Sequence, residues 1–175
     1  MPSTIVIVAH PDLTRSRANA IWVRALRADG RATVRVLADA LTAGGFDLPA
    51  EKAALIAHER IVLQFPFQWY SNPPILKTWL DQTLERGWAY GPGGAALEGK
   101  ELALAVSTGS RADDYTTTGR YQRTMNELTS PFEVTARRVG MTYRPGFFLH
   151  AIGDLTDADL ADNAIALVDW TLGEH

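Results

Sequence analysis

Residues 61–90 read IVLQFPFQWYSNPPILKTWLDQTLERGWAY, and their pattern changes twice. Ile61, Val62 and Leu63 form an apolar, β-prone run of the kind that fills a parallel strand buried on both faces. FPFQWYSN follows as a loop. Asn72 is placed to cap the next segment, whose Pro73 and Pro74 suit a first helical turn because its N–H groups have no partner inside the helix. Leu76, Leu80 and Leu84, with Ile75 and Trp79, form a stripe at helical spacing, and Gly87 is the expected stop. The order is therefore strand, aromatic loop, helix.

In an open α/β sheet, a loop at the carboxyl end of a buried parallel strand is where ligands bind. Phe65, Phe67, Trp69 and Tyr70 are a large aromatic content for a connecting segment. Either these rings fill a core beneath the loop, or they wall a site for a flat apolar ligand whose polar edge meets the backbone N–H groups of Phe67 to Tyr70.

Working outward, Thr4–Val8 (TIVIV) is an expected buried strand and runs straight into AHPDLTRSRANAIWVRAL. Ser16 or Thr14 can cap a helix carrying Ala18, Ile21, Trp22, Ala25 and Leu26. A strand, a hydroxyl- and arginine-bearing loop and a helix start make either an anion site or an ordinary capped connection. No glycine-rich nucleotide fingerprint is present here. Ala32–Leu37 reads as a strand near a sheet edge with Arg35 outward, and residues 50–57 as a short helix. Asp47 reads as an exposed loop carboxylate. Gly91, Gly93 and Ala96 follow a helix rather than a strand, so their nucleotide-like spacing lacks its required context; they form either a flap or a surface loop. Glu101–Val106 is a fourth strand, and Ser107, Thr108, Gly109 and Ser110 make a turn of small residues that lets backbone approach a ring. Pro131 is expected to break or kink the helix within 121–138. Met141–Phe148 closes the sheet, interrupted at Arg144-Pro145-Gly146, and Thr156 opens a last helix with Leu160, Ile165, Leu167, Val168 and Leu172. Five strands alternate with five helical segments. The expected fold is one α/β domain over residues 1–175, doubly wound with strand order 2-1-3-4-5.

Composition narrows the function classes. The chain has 175 residues, 46% hydrophobic and 21% charged, with net charge −3 and no cysteine. Nothing basic marks a nucleic-acid or anionic-membrane surface. Thiol nucleophiles, disulfides, iron–sulfur ligation and cysteinyl-flavin bonds are excluded, and a reducing compartment suits such a chain. His10, His58, His150 and His175 have no metal-ligand spacing. No signal peptide or apolar span near ~20 residues is read, so cytoplasm is the expected location.

The joint occurrence of PFQWY, PPILKTWLD and GWAYG resembles the flavin-dependent NAD(P)H:quinone oxidoreductases, above all their short bacterial members, which include ancillary oxidoreductases of glutathione-gated potassium efflux systems. The resemblance implies a flavodoxin-like fold, a non-covalent flavin and a homodimer with sites at the subunit interface. FMN is expected because the chain lacks the C-terminal extension of longer FAD-binding relatives; FAD is the alternative. AHPDLTRSRAN resembles the family's flavin-phosphate loop, which makes His10, Ser16, Ala18 and Asn19 implied cofactor contacts, with Arg17 beside them. Pro66, Phe67, Gln68, Trp69 and Tyr70 are implied around the ring, together with Ser107–Ser110, which depart from the family's usual TTGG. Tyr115 falls where family members carry a tyrosine near the flavin, and Tyr121 where they carry its histidine partner. The implied reaction takes hydride from NADH or NADPH and reduces a quinone, with Tyr115 or Tyr121 aiding charge stabilisation. A role as subunit of a potassium-efflux transporter, or as a flavodoxin-like electron carrier, stands beside it.

Overall fold

In the computed structural model, which describes residues 2–173, the alternating segments build one parallel sheet. Its strands are β1 (Thr4–Val8), β2 (Ala32–Val36), β3 (Arg60–Pro66), β4 (Glu101–Ser107), β5 (Thr142–Tyr143) and β6 (Phe147–Leu149). The order is β2-β1-β3-β4-β5, with β6 also parallel to β4. The fifth position is thus one strand interrupted at residues 144–146. Proline supplies no N–H for a ladder, which accounts for the interruption around Pro145. This is the doubly wound flavodoxin-like sheet in the expected order.

The strands alternate strictly between two cores. Ile5, Ile7, Ile61, Leu63, Leu102 and Leu104 face α3 (Leu48–Ile56), α4 (Pro74–Thr83) and α5 (Met125–Arg138). Val6, Val8, Val62, Ala103 and Ala105 face α1 (Ala18–Asp29) and α6 (Asp157–Leu172). Burial on both sides is why these strands read as continuous apolar runs. One tryptophan anchors each layer. Trp22 is fully buried and donates Nε1–H to Asn163 Oδ1 at 2.8 Å, while Trp79 donates to buried Glu51 at 3.0 Å. Glu51 also binds Arg35, so that guanidinium does not simply face solvent from the edge strand; it ties β2 to α3.

Several local expectations change. Leu37 opens a single turn, α2 (Leu37–Ala40), instead of ending β2. Asn72 does not cap α4: its amide donates to the Pro73 carbonyl, and Pro73 itself precedes the first turn. That helix ends at Thr83, and Gly87 lies beyond it in a turn at φ +85°. Asp47 is exposed but caps α3 through the Ala50 N–H. Pro131 does not break α5, because the Ser130 hydroxyl donates to the Glu127 carbonyl that proline leaves without its usual donor. Ile165 and Val134 are exposed and belong to no core. No helix among the described residues is long and apolar enough to cross a membrane, and no cluster of metal-binding side chains occurs among them.

Candidate active site

The loops leaving β1, β3, β4 and β6 gather at the carboxyl edge of the sheet, and a buried polar link fixes their spacing. Asn19, in the first turn of α1, donates from Nδ2 to Ser107 Oγ at 2.9 Å. Gln64 of β3 donates to the Asn19 carbonyl and Oδ1, each at 3.2 Å. All three residues are buried, so each hydrogen bond offsets a desolvation that would otherwise destabilise the fold. Asn19 and Ser107 therefore do not offer their side chains to a ligand; they position the loops that do. Gln64 was missed, although a polar residue inside IVLQF was its visible signal.

After β1, Asp12 caps a single 3₁₀ turn at Leu13–Arg15, and Thr14 belongs to that turn rather than to α1. Ser16 supplies the α1 cap by accepting the Asn19 N–H at 3.1 Å. The Arg17 guanidinium is committed elsewhere: it donates to the Ile152 and Leu155 carbonyls and pairs with Asp157 at 2.8 Å. Its side chain is thus a tie between α1 and the segment before α6, correcting its reading as a direct anion contact. The backbone N–H groups of Arg17 and Ala18 find no acceptor among the described residues. His10 Nδ1 accepts the Asp12 N–H at 3.1 Å. The hydrogen of the neutral ring must then sit on Nε2. Burial favours that neutral form by pushing the His10 pKa below its ordinary value.

The aromatic loop divides between its two readings. Phe65 is wholly buried and packs on Phe132 with ring centroids 5.4 Å apart. Beyond Pro66, Phe67 is half-buried against Tyr115 at 6.2 Å. Gln68 and Ser71 close a tight turn through mutual backbone bonds of 3.0 and 2.9 Å. Its central residues, Trp69 at φ +47° and Tyr70 at φ +62°, occupy the left-handed region that such a turn demands and side chains disfavour. Trp69 is 92% exposed, so packing does not offset the strain. Phe67 donates its N–H to the Ser107 carbonyl and Gln68 donates to Ser71, which removes both from the expected set of ligand donors. Trp69 and Tyr70 keep free N–H groups among the described residues.

The turn after β4 repeats that arrangement. The Thr108 N–H goes to Leu149, while those of Gly109 and Ser110 have no acceptor among the described residues. Ser110 Oγ lies 2.8 Å from the Tyr121 hydroxyl. Tyr121 packs on Tyr70 at 5.1 Å and on Tyr115 at 5.0 Å. Tyr115 is only 8% exposed, so the two tyrosines do share a wall, with Tyr115 as its buried part. Tyr115 also packs on the His150 ring, at 5.4 Å. Sequence reading weighed His150 only as a metal ligand, yet FFLH parallels IVAH: each places a histidine just past the carboxyl end of a strand.

Unpaired N–H groups, a neutral histidine donor and an aromatic wall meet at a flavodoxin-like edge, the place for an anionic group joined to a flat polar ring. The flavodoxin-like fold family matches residues 2–170. The chain belongs to the flavodoxin-like NAD(P)H oxidoreductase family. It is 43% identical to the uncharacterized NAD(P)H oxidoreductase YrkL of Bacillus subtilis, covering 98% of this chain and 99% of that one. It is 38% identical to KefF of Salmonella arizonae, an ancillary protein of a glutathione-regulated potassium-efflux system, over 98% of each. General stress protein 14 of Treponema denticola, solved in complex with FMN, superposes with TM-score 0.92 at 37% identity, covering 97% and 98%. An enzyme described as a thermophilic tryptophan halogenase from Streptomycin violaceusniger superposes with TM-score 0.94 at 35% identity, covering 98% and 99%. One scaffold hosts different reactions, so the residues at the edge decide the reading.

Proposed function

We infer that the protein is a flavin-dependent NAD(P)H:quinone oxidoreductase that holds FMN without a covalent bond. The observation that carries this is the convergence of the free N–H groups of Arg17, Ala18, Trp69, Tyr70, Gly109 and Ser110 on one edge. When bound, FMN supplies the hydride chemistry that no side chain here possesses. The Arg17 and Ala18 N–H groups and His10 Nε2–H would hold its phosphate. The N–H groups of Trp69, Tyr70, Gly109 and Ser110 would bond the polar edge of the ring and stabilise negative charge there. Pro66, Phe67 and Gln68 carry the turn, and Ser16, Asn19 and Ser107 keep the loops in register. Tyr115 and Tyr121 are the proposed catalytic tyrosines. Tyr115 gives a flat face for stacking; Tyr121, bonded to Ser110, has the hydroxyl that can meet growing charge. FAD would need contacts for a second nucleotide half, and FMN accounts for these donors without them.

The chain is proposed to act as one flavin-binding unit, as a homodimer, in the cytoplasm where NAD(P)H turns over. Phe67, Trp88 and Tyr90 are half-buried in one protomer, so these rings do not call for a partner. Support for the dimer comes instead from exposed Trp69 and Tyr70 beside a groove of about 620 Å³ between α4 and α5, whose lining includes Tyr70, Leu80, Leu84 and Phe132. The likeness to KefF favours a second role as the ancillary subunit of a membrane transporter.

The test is direct. Acid precipitation should leave a yellow supernatant containing FMN by mass, NAD(P)H should bleach the native protein, and quinone should restore its colour. Light scattering should give roughly twice 19.2 kDa. A colourless protein that neither takes up FMN nor oxidises NAD(P)H would contradict the enzyme reading, and an active monomer would contradict the dimer.

A further inference from the structure

We propose that His150 is a catalytic residue that hands a proton to the quinone. The assignment rests on the oxidoreductase reading above and gives it an acid. His150 is pinned by its surroundings. The Thr108 hydroxyl donates its one hydrogen to the Ser110 carbonyl at 2.9 Å and lies 3.0 Å from His150 Nδ1. With that hydrogen spent, Thr108 Oγ1 must accept from Nδ1–H, which leaves Nε2 as the free nitrogen. The flanking backbone is laced to the β4 turn by Thr108 N–H to Leu149, Ala151 N–H to Ser110 and Ile152 N–H to Thr108. Ala151 sits at φ +53°. A non-glycine residue in the left-handed region persists where its surroundings over-determine it, and such strain gathers at functional sites.

The ring lines a cavity of about 230 Å³ between the Ala112–Tyr115 turn and the start of α5. Tyr115, Met125 and Phe148 give that cavity apolar walls, and Asn126 adds a polar one, a lining suited to a flat ring bearing oxygen. Among the side chains that meet His150 here, Tyr115 is the one titratable group: Thr108, Ala112, Thr124, Met125, Asn126 and Phe148 have none. Burial pushes the His150 pKa down, so an imidazolium formed here is a stronger acid than one in water.

The balance is closed by NAD(P)H and solvent. Reducing a quinone to a hydroquinone adds two electrons and two hydrogens. A hydride that originates on NAD(P)H brings both electrons and one hydrogen. The second oxygen takes the proton as the Nε2–H bond of His150 breaks, and the neutral ring recovers a proton from water. A protein residue delivering a proton in this way typically contributes ~10²–10⁴-fold.

The experiment uses the FMN-loaded protein, its His150→Gln variant and a Thr108→Val variant that frees Nδ1. Stopped-flow absorbance separates bleaching by NADPH from reoxidation by 1,4-benzoquinone, and ferricyanide serves as an acceptor that takes electrons without a proton. In His150→Gln, bleaching and ferricyanide reoxidation should stay within about two-fold of wild type, while quinone reoxidation falls at least ~10²-fold and loses its acceleration at low pH. Thr108→Val should slow quinone reoxidation less and alter its pH profile. Nitrogen NMR of the flavin-free protein should find neutral His150 protonated on Nδ1. Unchanged quinone reoxidation, equal slowing with both acceptors, or a ring protonated on Nε2 would overturn the proposal. Wild-type protein that neither NADPH nor NADH bleaches would overturn the oxidoreductase reading itself, and the proposal with it.

Discussion

The two edges of the sheet use the same strands to opposite ends. At the amino edge, polar groups find partners within the protein. Arg60 is buried and donates to the Glu101 carboxylate and to the Thr171 and Gly173 carbonyls, holding the last turn of α6. The Ser3 carbonyl accepts from Glu59 and Arg60, Lys100 donates to the Ile56 and His58 carbonyls, and Glu59 accepts from Glu101. At the carboxyl edge, free N–H groups gather, and Trp69, Tyr70 and Ala151 stand at positive φ. Hydrogen bonds made within the chain add stability; donors left free and backbone held in strain are available for a ligand. The first edge maintains the fold, and the second uses part of that stability to stay ready for binding.

Substitutions should therefore separate stability from binding. The largest effect belongs to the amino edge. Arg60→Met removes a buried cation and strands the Thr171 and Gly173 carbonyls, at about 1–3 kcal/mol for each acceptor left without a partner, while Glu101 stays partly exposed beside Arg144. The urea midpoint should fall accordingly, while FMN affinity of the protein that remains folded stays within about two-fold of wild type. A large loss of FMN affinity at full folding would show that the edges are not independent. At the carboxyl edge the signs reverse. Trp69→Gly relieves an unpacked left-handed side chain, worth roughly 1 kcal/mol and a few degrees of melting temperature in a chain of this size. The same change loosens the turn and removes a ring, so FMN should bind about ten-fold more weakly. A variant less stable than wild type would contradict the strain argument.

The smallest effect is in pH. His10 and His150 both have folded pKa values below the ordinary 6.5 because burial disfavours their charged forms. Below 6.5 the unfolded chain therefore binds more protons than the folded one. Their contribution is complete above 6.5 and is lost as pH falls through the lower folded values. Flavin-free protein should lose more stability between pH 7.5 and pH 5.5 than a His10→Gln, His150→Gln double variant, measured by urea midpoints. Parallel losses would place the acid sensitivity elsewhere.

Much of the fold was legible in the sequence because its causes are local. TIVIV, IVLQF and ELALAV announce strands buried on both faces, and the stripes of the intervening helices set the alternation. Single-residue rescue was not legible: whether Pro131 breaks α5 depends on where the Ser130 hydroxyl turns. At the candidate site, resemblance pointed to loops that lie at the carboxyl edge but not to which atoms remain free in them. Asn19, Ser107 and the Arg17 guanidinium are consumed by contacts with residues far away in sequence, the Phe67 N–H goes to the distant Ser107 carbonyl, and the Gln68 N–H is consumed by a turn visible only in three dimensions. His150 lay hidden because its partner, Thr108, is brought to it by the pairing of β6 with β4.

The central claim, that the carboxyl edge is built around FMN, is tested most directly by calorimetric titration of flavin-free protein with FMN and with riboflavin, which has the same ring and no phosphate. The account predicts one FMN per chain and riboflavin weaker by at least ~10²-fold, since each charge-assisted bond lost from the Arg17 and Ala18 N–H groups and His10 is worth about 1.5–3 kcal/mol. Equal affinity for the two, or heat from neither, would contradict it.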